Sequence, residues 1–205
     1  SKDNPGKYSE VDDFTRTEVT TDVRITQTRR ARDPISQSFV VPDRFYGGMF
    51  LSKIDLFFAA KSDTFGVTVQ IREMENGQLT ANKLPYGSVT LGPSQINIDA
   101  TGQNDIPTPV IFPTSVYLDN EKEYAFVIIP EANDPSFRVW TAELGGTDVR
   151  TGELIAQQPA VGVMFVSSND RTARPIMNED IKFNLYRAKY DDTKTGVMYF
   201  ENDNS

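Results

Sequence analysis

The stretch MFLSKIDLFF, residues 49–58, decides the fold class. Two charged side chains, Lys53 and Asp55, share one parity within it. The apolar side chains that share the other parity are Phe50, Ile54, Leu56 and Phe58. Alternation with a period of two residues is what a strand needs when one face is buried and the other meets water. The stretch therefore predicts a half-buried antiparallel strand with these four residues on its core face.

The same alternation recurs along the chain. The residues that it places on the core face of two further strands are Val67, Val69, Ile71, Ile181, Phe183 and Leu185. EYAFVIIP, residues 123–130, is almost continuously apolar and predicts a central strand. Short runs such as SVTL, PVIF, SVYL, FRVW and GVMFV add strands between Gly, Pro, Asn and Asp turn signals. We therefore expect an all-β fold, an antiparallel two-sheet β-sandwich of jelly-roll type with extended N- and C-terminal arms.

Composition excludes several classes of function. The 205 residues carry 21 basic and 29 acidic side chains, a net charge of −8, which argues against nucleic-acid binding and against docking on anionic lipid. Cysteine and histidine are both absent. Cysteine nucleophiles, Ser-His-Asp hydrolysis and the usual zinc sites are therefore excluded, whereas a carboxylate-only glycosidase mechanism stays open. We expect no cofactor and no membrane insertion, since no apolar run approaches the ~20 residues of a membrane helix.

The charge pattern divides the chain into three parts. Residues 1–32 are polar and are predicted to form an extended arm or linker. Residues 33–190 are predicted to form the β-sandwich domain. Residues 191–205 form a C-terminal tail or the start of a following domain, because the apolar GVMYF interrupts an acidic stretch. We expect a piece of a longer polypeptide, with a processed chain as the alternative, and we find no signal peptide.

The single tryptophan marks the first candidate site. In FRVWTA, alternation puts Arg138 and Trp140 on the face opposite Phe137 and Val139. An exposed indole beside a guanidinium forms a flat surface for sugar rings, and Tyr86 in the turn LPYG is a third candidate for this platform. The alternative is that the long polar crossing of residues 143–160 covers Trp140, and this alternative is favoured.

Carboxylates and oxygen-rich loops are the other candidates. Adjacent acids such as Glu179 and Asp180 point to opposite faces of a strand, so we expect a solvated surface and no catalytic residue. DATGQND, residues 99–105, and EANDPS, residues 131–136, have the composition of calcium loops without the EF-hand spacing. Plain turns are the favoured interpretation, and no metal site is predicted.

Several linked phrases, in one order, resemble a known family. The phrases are DPISQSF at 33–39, GGMFLSKIDLFFAAK at 47–61, VTVQIREMENGQLT at 67–80, LPYGSVTL at 84–91, SVYLDNEKEYAFVI at 115–128, FRVWTAELGGTDVRTGELIAQQPAVGVMF at 137–165 and DIKFNLYRAKY at 180–190. Over residues 33–190 the chain resembles a β-sandwich module of structural proteins in contractile-tailed bacteriophages, especially baseplate wedge and tail-fibre-associated proteins. The resemblance carries no catalytic residue.

The resemblance implies a virion protein made in the host cytoplasm, and it implies three ranked functions. The first is a non-enzymatic structural or interaction module of a tail or baseplate, with other virion proteins as partners. The second is a carbohydrate-binding module for host-surface glycan, with Trp140, Arg138 and Tyr86 as the platform. This second function is an inference from fold-level analogy with related jelly rolls. The third, ranked lowest, is a carboxylate-based glycan depolymerase, because such enzymes occur on phage tails.

Overall fold

The structure, a computed structural model, describes residues 14–19, 24–42, 44–156, 162–168 and 172–190. Its strands are β1 (Phe14–Glu18), β2 (Gln27–Arg30), β3 (Ile35–Val40), β4 (Met49–Leu56), β5 (Phe58–Ala60), β6 (Val67–Glu75), β7 (Gln78–Leu91), β8 (Thr108–Leu118), β9 (Glu123–Pro130), β10 (Arg138–Glu143), β11 (Met164–Ser168), β12 (Thr172–Ile176), β13 (Glu179–Ile181) and β14 (Phe183–Tyr190). Short 3-10 turns lie at Pro93–Gln95 and Glu131–Asn133. The predicted all-β class is confirmed.

The strands form antiparallel sheets that pack as a sandwich. A four-stranded sheet has the order β1-β14-β4-β8, and a six-stranded sheet has the order β12-β11-β3-β9-β6-β7. A smaller sheet has the order β13-β10-β2, with β5 also paired to β10. The sandwich prediction is therefore confirmed, with this third sheet added to the two expected ones. The jelly-roll connectivity stays a prediction.

One hydrophobic core joins all three sheets. Leu51, Ile54 and Leu56 of β4 contribute to it, and so do Val67, Val69 and Ile71 of β6 as predicted. Rings interlock across the sandwich: Phe126 of β9 and Phe183 of β14 have centroids 5.0 Å apart at an interplanar angle of 64°. This edge-to-face arrangement is the one that aromatic quadrupoles favour.

Phe50 lies on the outer face, contrary to the prediction from MFLSKIDLFF. Its side chain is 42% exposed, whereas Met49 and Leu51 are buried. Against β14, Lys53 lies opposite Tyr186 and Leu51 lies opposite Arg187, so β4 has one extra residue between them, a β-bulge. One extra residue reverses the alternation along the strand, so the core face carries Met49 and Leu51 before the bulge. Simple parity counting from Ile54 back to Phe50 therefore fails.

The smaller sheet forms where the paired strands β4 and β14 separate, at a point that we call the fork. β4 and β14 pair as far as Leu56 and Phe183, then separate into β5 and β13. β10 fills the gap, with Val139 opposite Phe58 and Thr141 opposite Ile181. At the branch point the N–H of Trp140 donates to the carbonyl of Phe57 at 2.9 Å. The carbonyl of Trp140 accepts from the N–H of Lys182 at the same distance.

The predicted N-terminal arm differs from the structure over residues 24–32. β2 pairs with β10 from Gln27↔Thr141 to Arg30↔Arg138. Ile25 and Ala31, on either side of β2, are buried. β1 in turn pairs along β14, so this short strand also belongs to the sandwich. The apolar contacts are few and widely spaced in a polar sequence, which is why composition suggested a linker. Residues 1–13 and 191–205 lie outside the described residues.

The position of Phe50 is testable by comparison with Phe58. We expect Phe58→Ala to lower the free energy of unfolding by about 3–5 kcal/mol, because it removes a fully buried ring. Phe50→Ala should cost about 1 kcal/mol or less, because its half-exposed ring makes only surface contacts. Urea denaturation of the three proteins measures both values. Equal losses would place Phe50 in the core and contradict the bulge.

Candidate functional site

Trp140 is buried on the outer side of β10. Phe137 and Val139 belong to the main core, as the alternation predicted. Trp140 instead packs in a second cluster with Ile25, Phe57 and Ala59, and its side chain is 7% exposed. The indole N–H donates to the carbonyl of Asp99 at 2.8 Å, so its polar atom is satisfied within the protein. The indole therefore offers no open face for a sugar ring.

Three segments share the cover over Trp140. The α-carbon of Gly102 lies against the indole so closely that an added Cβ would sit 3.0 Å from Cζ2. Ile25 packs on the same cluster, and its N–H donates to the Asp148 carboxylate at 3.1 Å. Val149, from the 143–160 crossing, completes the packing. The crossing thus covers the tryptophan together with the 99–105 loop, while its residues 157–160 lie outside the described part.

The predicted glycan platform is not assembled in one place. Arg138 is half-buried, and its guanidinium donates to Thr28 Oγ1 at 3.1 Å. Tyr86 is 70% exposed, but it belongs to β7 in the six-stranded sheet. Its backbone has φ of 60°, a left-handed conformation that a bulky residue rarely adopts. Of the three predicted residues, only Tyr86 is available at the surface.

Lys182 packs against the cluster of residues around Trp140. Its side chain is almost completely buried, its ammonium lies 4.0 Å from the ring centroid of Phe57, and it pairs with the carboxylate of Asp105. Arg150 approaches the same carboxylate at 3.4 Å. Burial lowers the pKa of Lys182 and outweighs the opposite effect of Asp105. The ion pair ties the junction between β13 and β14 to the loop that covers Trp140.

The carboxylate of Asp99 binds the backbone amides of its own loop. Asp99 accepts hydrogen bonds from the N–H groups of Thr101, Gly102, Asn104 and Asp105. Burial alone would raise the pKa of Asp99, but these bonds stabilise the ionised form and leave its pKa below the usual value. Within the described residues, no cluster of three or more acidic side chains is placed to hold a metal ion. The 99–105 loop is therefore a self-capped turn.

Glu179 and Asp180 are buried, which corrects the expectation of a solvated surface. Each is 2% exposed. Arg29 donates its Nε–H to Glu179 at 3.2 Å, and the Thr141 hydroxyl donates to the same carboxylate at 2.6 Å. Asp180 accepts from Gln37 Nε2 at 2.9 Å. Their partners come from β2, β3 and β10, so only the tertiary fold makes burial of these acids tolerable.

An exposed row of aromatic rings crosses the outer face of the four-stranded sheet. Each strand supplies one ring, and we call the set the aromatic row: Phe14, Tyr190, Phe50 and Tyr117. Successive ring centroids lie 5.5, 5.5 and 5.4 Å apart. Phe50, Tyr117 and Tyr190 are 42–47% exposed. Contiguous apolar surface of this kind marks interaction sites more often than scattered exposed residues do.

The sheet register builds the aromatic row. Phe14 lies opposite Tyr190, and Phe50 lies opposite Tyr117. The bulge after Leu51 turns Phe50 outward and so joins the two pairs into one row. The Tyr117 hydroxyl donates to the carbonyl of Gly47 at 2.9 Å, which fixes the ring at the β8 end.

Sequence reasoning missed this row for identifiable reasons. Phe50 had the parity of a core residue, and Phe14 fell within the predicted arm. Tyr190 closed the last predicted strand, and Tyr117 lay within SVYL, but nothing in sequence order relates these two positions. The available signal was the number of aromatic residues, thirteen Phe and eight Tyr, in a chain with limited apolar content.

Comparison with known proteins adds no family assignment. No protein-family model matches the chain, and no curated protein matches it. In the described part of the chain, neither short helical turn is long and apolar enough to cross a membrane.

The cover over Trp140 predicts the effect of filling space at Gly102. Gly102→Ala should destabilise the protein by about 2–4 kcal/mol, because the new methyl group meets Ile25 and the indole in a left-handed backbone conformation. Gly145→Ala is the matched control: it has φ of 82° with nothing within 4 Å, so only backbone strain of about 1 kcal/mol applies. Tryptophan emission, blue-shifted in the wild type, should move to longer wavelength in the Gly102 variant alone. Equal effects in both variants would contradict the contact.

Acid should weaken the same loop. The pKa of Asp99 is lower in the folded protein than in the unfolded chain. Its carboxylate therefore contributes fully to the free energy of unfolding above the pKa of the unfolded chain. This contribution is lost as pH falls through the pKa of the folded protein. We expect wild type and Asp99→Asn to differ by about 1–3 kcal/mol at neutral pH, and the difference to shrink as pH falls below the unfolded aspartate pKa of about 3.9. Denaturant titrations across this range, with the exposed Asp63→Asn as control, measure the difference. A pH-independent difference would show that the Asp99 charge is irrelevant.

Proposed function

We propose that the chain is a non-enzymatic structural and interaction module of a larger assembly, with the aromatic row as its docking surface. The observation that carries the proposal is the continuous contact of four rings, three of them 42–47% exposed, on the outer face of the four-stranded sheet. Aromatic side chains offer large contact area with few rotatable bonds, and they dominate the energetics of protein interfaces. Docking is therefore the use to which this surface is suited.

The resemblance to contractile-phage tail modules indicates which assembly is meant. We infer a tail or baseplate protein whose neighbours are other virion proteins. An all-β antiparallel domain is consistent with that role. The net charge of −8 also suits a protein that contacts other proteins rather than nucleic acid.

A protein partner fits the row better than a glycan does. A sugar ring stacks on an open, flat aromatic face. In the row, adjacent rings are tilted by 59°, 89° and 56°, so the edge of one ring occupies part of the face of the next. The resulting ridges and hollows match side chains of a partner protein. Glycan recognition stays the second candidate and would depend on the exposed faces of Phe50 and Tyr117.

The buried acids support a role without catalysis. Glu179 is held by Arg29 and Thr141, and burial, which alone would raise its pKa, is outweighed by these bonds so that its pKa is lowered. A general acid near neutral pH requires the opposite shift. A depolymerase mechanism built on this residue is therefore disfavoured.

Substitution of the row should impair assembly without unfolding the chain. In a phage that encodes the protein, we expect Phe50→Lys combined with Tyr117→Lys to lower the yield of infective particles at least about tenfold, since desolvating a lysine at an interface is costly. Tyr86→Lys, an exposed aromatic on another sheet, is the matched control and should keep the wild-type yield. Mass spectrometry of purified particles measures incorporation of each variant. Normal incorporation of the double variant, or absence of the wild-type chain from particles, would refute the proposal.

A further inference from the structure

Lys182 and Asp105 are in contact although they stand 77 positions apart in the chain. The ammonium of Lys182 donates to a carboxylate oxygen of Asp105 and lies 4.0 Å from the ring centroid of Phe57. The lysine side chain is 2% exposed, whereas the aspartate side chain is 41% exposed. An amine that is shielded from water therefore touches a carboxyl group from which a released water molecule can escape to solvent.

The backbone holds both groups in place. The N–H of Lys182 donates to the carbonyl of Trp140 at 2.9 Å. The N–H of Asp105 donates to the carboxylate of Asp99 at 3.0 Å. Two groups that a fold holds in contact can react with an effective concentration of ~10⁵–10⁸ M, far above the concentration of water. Such a concentration favours an amide over its hydrolysis, although the reverse holds for the same groups free in solution.

We propose that Lys182 and Asp105 form an intramolecular amide bond between Nζ of the lysine and Cγ of the aspartate. The ammonium first gives a proton to the carboxylate, which leaves a neutral amine beside a neutral carboxylic acid. The amine then attacks, and the Nζ–Cγ bond forms. The bond from Cγ to the hydroxyl oxygen breaks, and the hydroxyl leaves as water with a proton from the nitrogen. Nothing is oxidised or reduced, and no co-reactant is needed.

The charges around the pair favour this reaction. Burial lowers the pKa of Lys182, and the charge of Arg150 lowers it further. Asp105 and Asp148 act in the opposite direction without cancelling the effect of burial. Because burial disfavours ionised groups, transfer of the proton within the pair costs less here than in water. Arg150 also lies 3.4 Å from the Asp105 carboxylate, where its guanidinium stabilises the oxyanion that forms when the amine attacks.

A second lysine–aspartate pair gives an internal comparison. Lys53 lies 3.2 Å from Asp55, and its ammonium lies 3.8 Å from the ring centroid of Tyr186. The Lys53 side chain is 20% exposed, however, against 2% for Lys182. Burial does not force an ammonium that water can reach toward its neutral, nucleophilic form. We therefore expect the amide at Lys182 and not at Lys53, and Lys53→Arg is the matched control.

The amide supplies a covalent link in a chain that has no cysteine. It joins the 99–105 loop, which covers Trp140, to the junction between β13 and β14. A link between positions so far apart in sequence restricts the unfolded chain, as a disulfide does. The cover over the indole is then held by a covalent bond in addition to its packing and hydrogen bonds.

Mass spectrometry of the intact, denatured chain tests the proposal. The wild type should be lighter than its sequence requires by the mass of one water molecule, and so should Lys53→Arg. Lys182→Arg and Asp105→Ala should keep their full sequence masses. Asp105→Asn should lose ammonia in place of water and form the same product, so its mass should converge on that of the wild type. Because trypsin does not cut after an amidated lysine, a wild-type digest should contain one branched peptide with both residues.

Two results would overturn the proposal. One is a wild-type chain at its full sequence mass. The other is a loss of water that persists in Lys182→Arg, because such a loss comes from another site, such as a succinimide at an aspartate. The branched peptide identifies the linked residues in the wild type itself, so the test does not depend on whether a variant folds.

Discussion

The structure depends on the hydrogen bonds that the backbone of Trp140 makes at the fork between β4–β5 and β13–β14. Phe57 and Lys182 each lie where a strand leaves the four-stranded sheet, and both bond to Trp140. Without β10 in the fork, two strand edges would lose their partners inside the protein, which is costly for buried backbone groups. The same insertion puts Val139 into the main core and the indole on the opposite side, where it needs its own cover.

That cover explains the long polar crossing after FRVWTA. The crossing carries Asp148, whose carboxylate accepts the N–H of Ile25, and Val149, which packs on the indole cluster. The 99–105 loop, capped by Asp99, closes the other side. The ion pair between Lys182 and Asp105 ties this loop to the junction between β13 and β14. Polar residues dominate both segments because they satisfy backbone amides around one large buried ring.

The two-residue alternation of apolar side chains was sufficient to predict the fold class, but it was not sufficient to predict the candidate site. The alternation in VTVQIRE and IKFNLYR identified core residues such as Val69 and Leu185, because regular strands keep their parity. The predicted core position of Phe50 was wrong because a bulge between Leu51 and Lys53 reverses which side chains face the core. The alternation of apolar residues in one sequence carries no signal for such a bulge. The burial of Ile25 and Ala31 was not predicted, because isolated apolar residues in a polar segment resemble a linker until their partners are known. The aromatic row was not predicted for a more general reason. Its four rings come from strands whose neighbourhood in the sheet does not follow from their order in the sequence.

The central claim is that the outer face of the four-stranded sheet is a docking surface, and thiol accessibility tests it most directly. In a chain without cysteine, Phe50→Cys and Tyr86→Cys each give one reactive group at an exposed aromatic position. Both should react with a maleimide at similar rates in the isolated, dilute chain. In assembled particles, position 50 should become protected while position 86 stays reactive. Equal reactivity of the two positions in the assembled state would contradict the account.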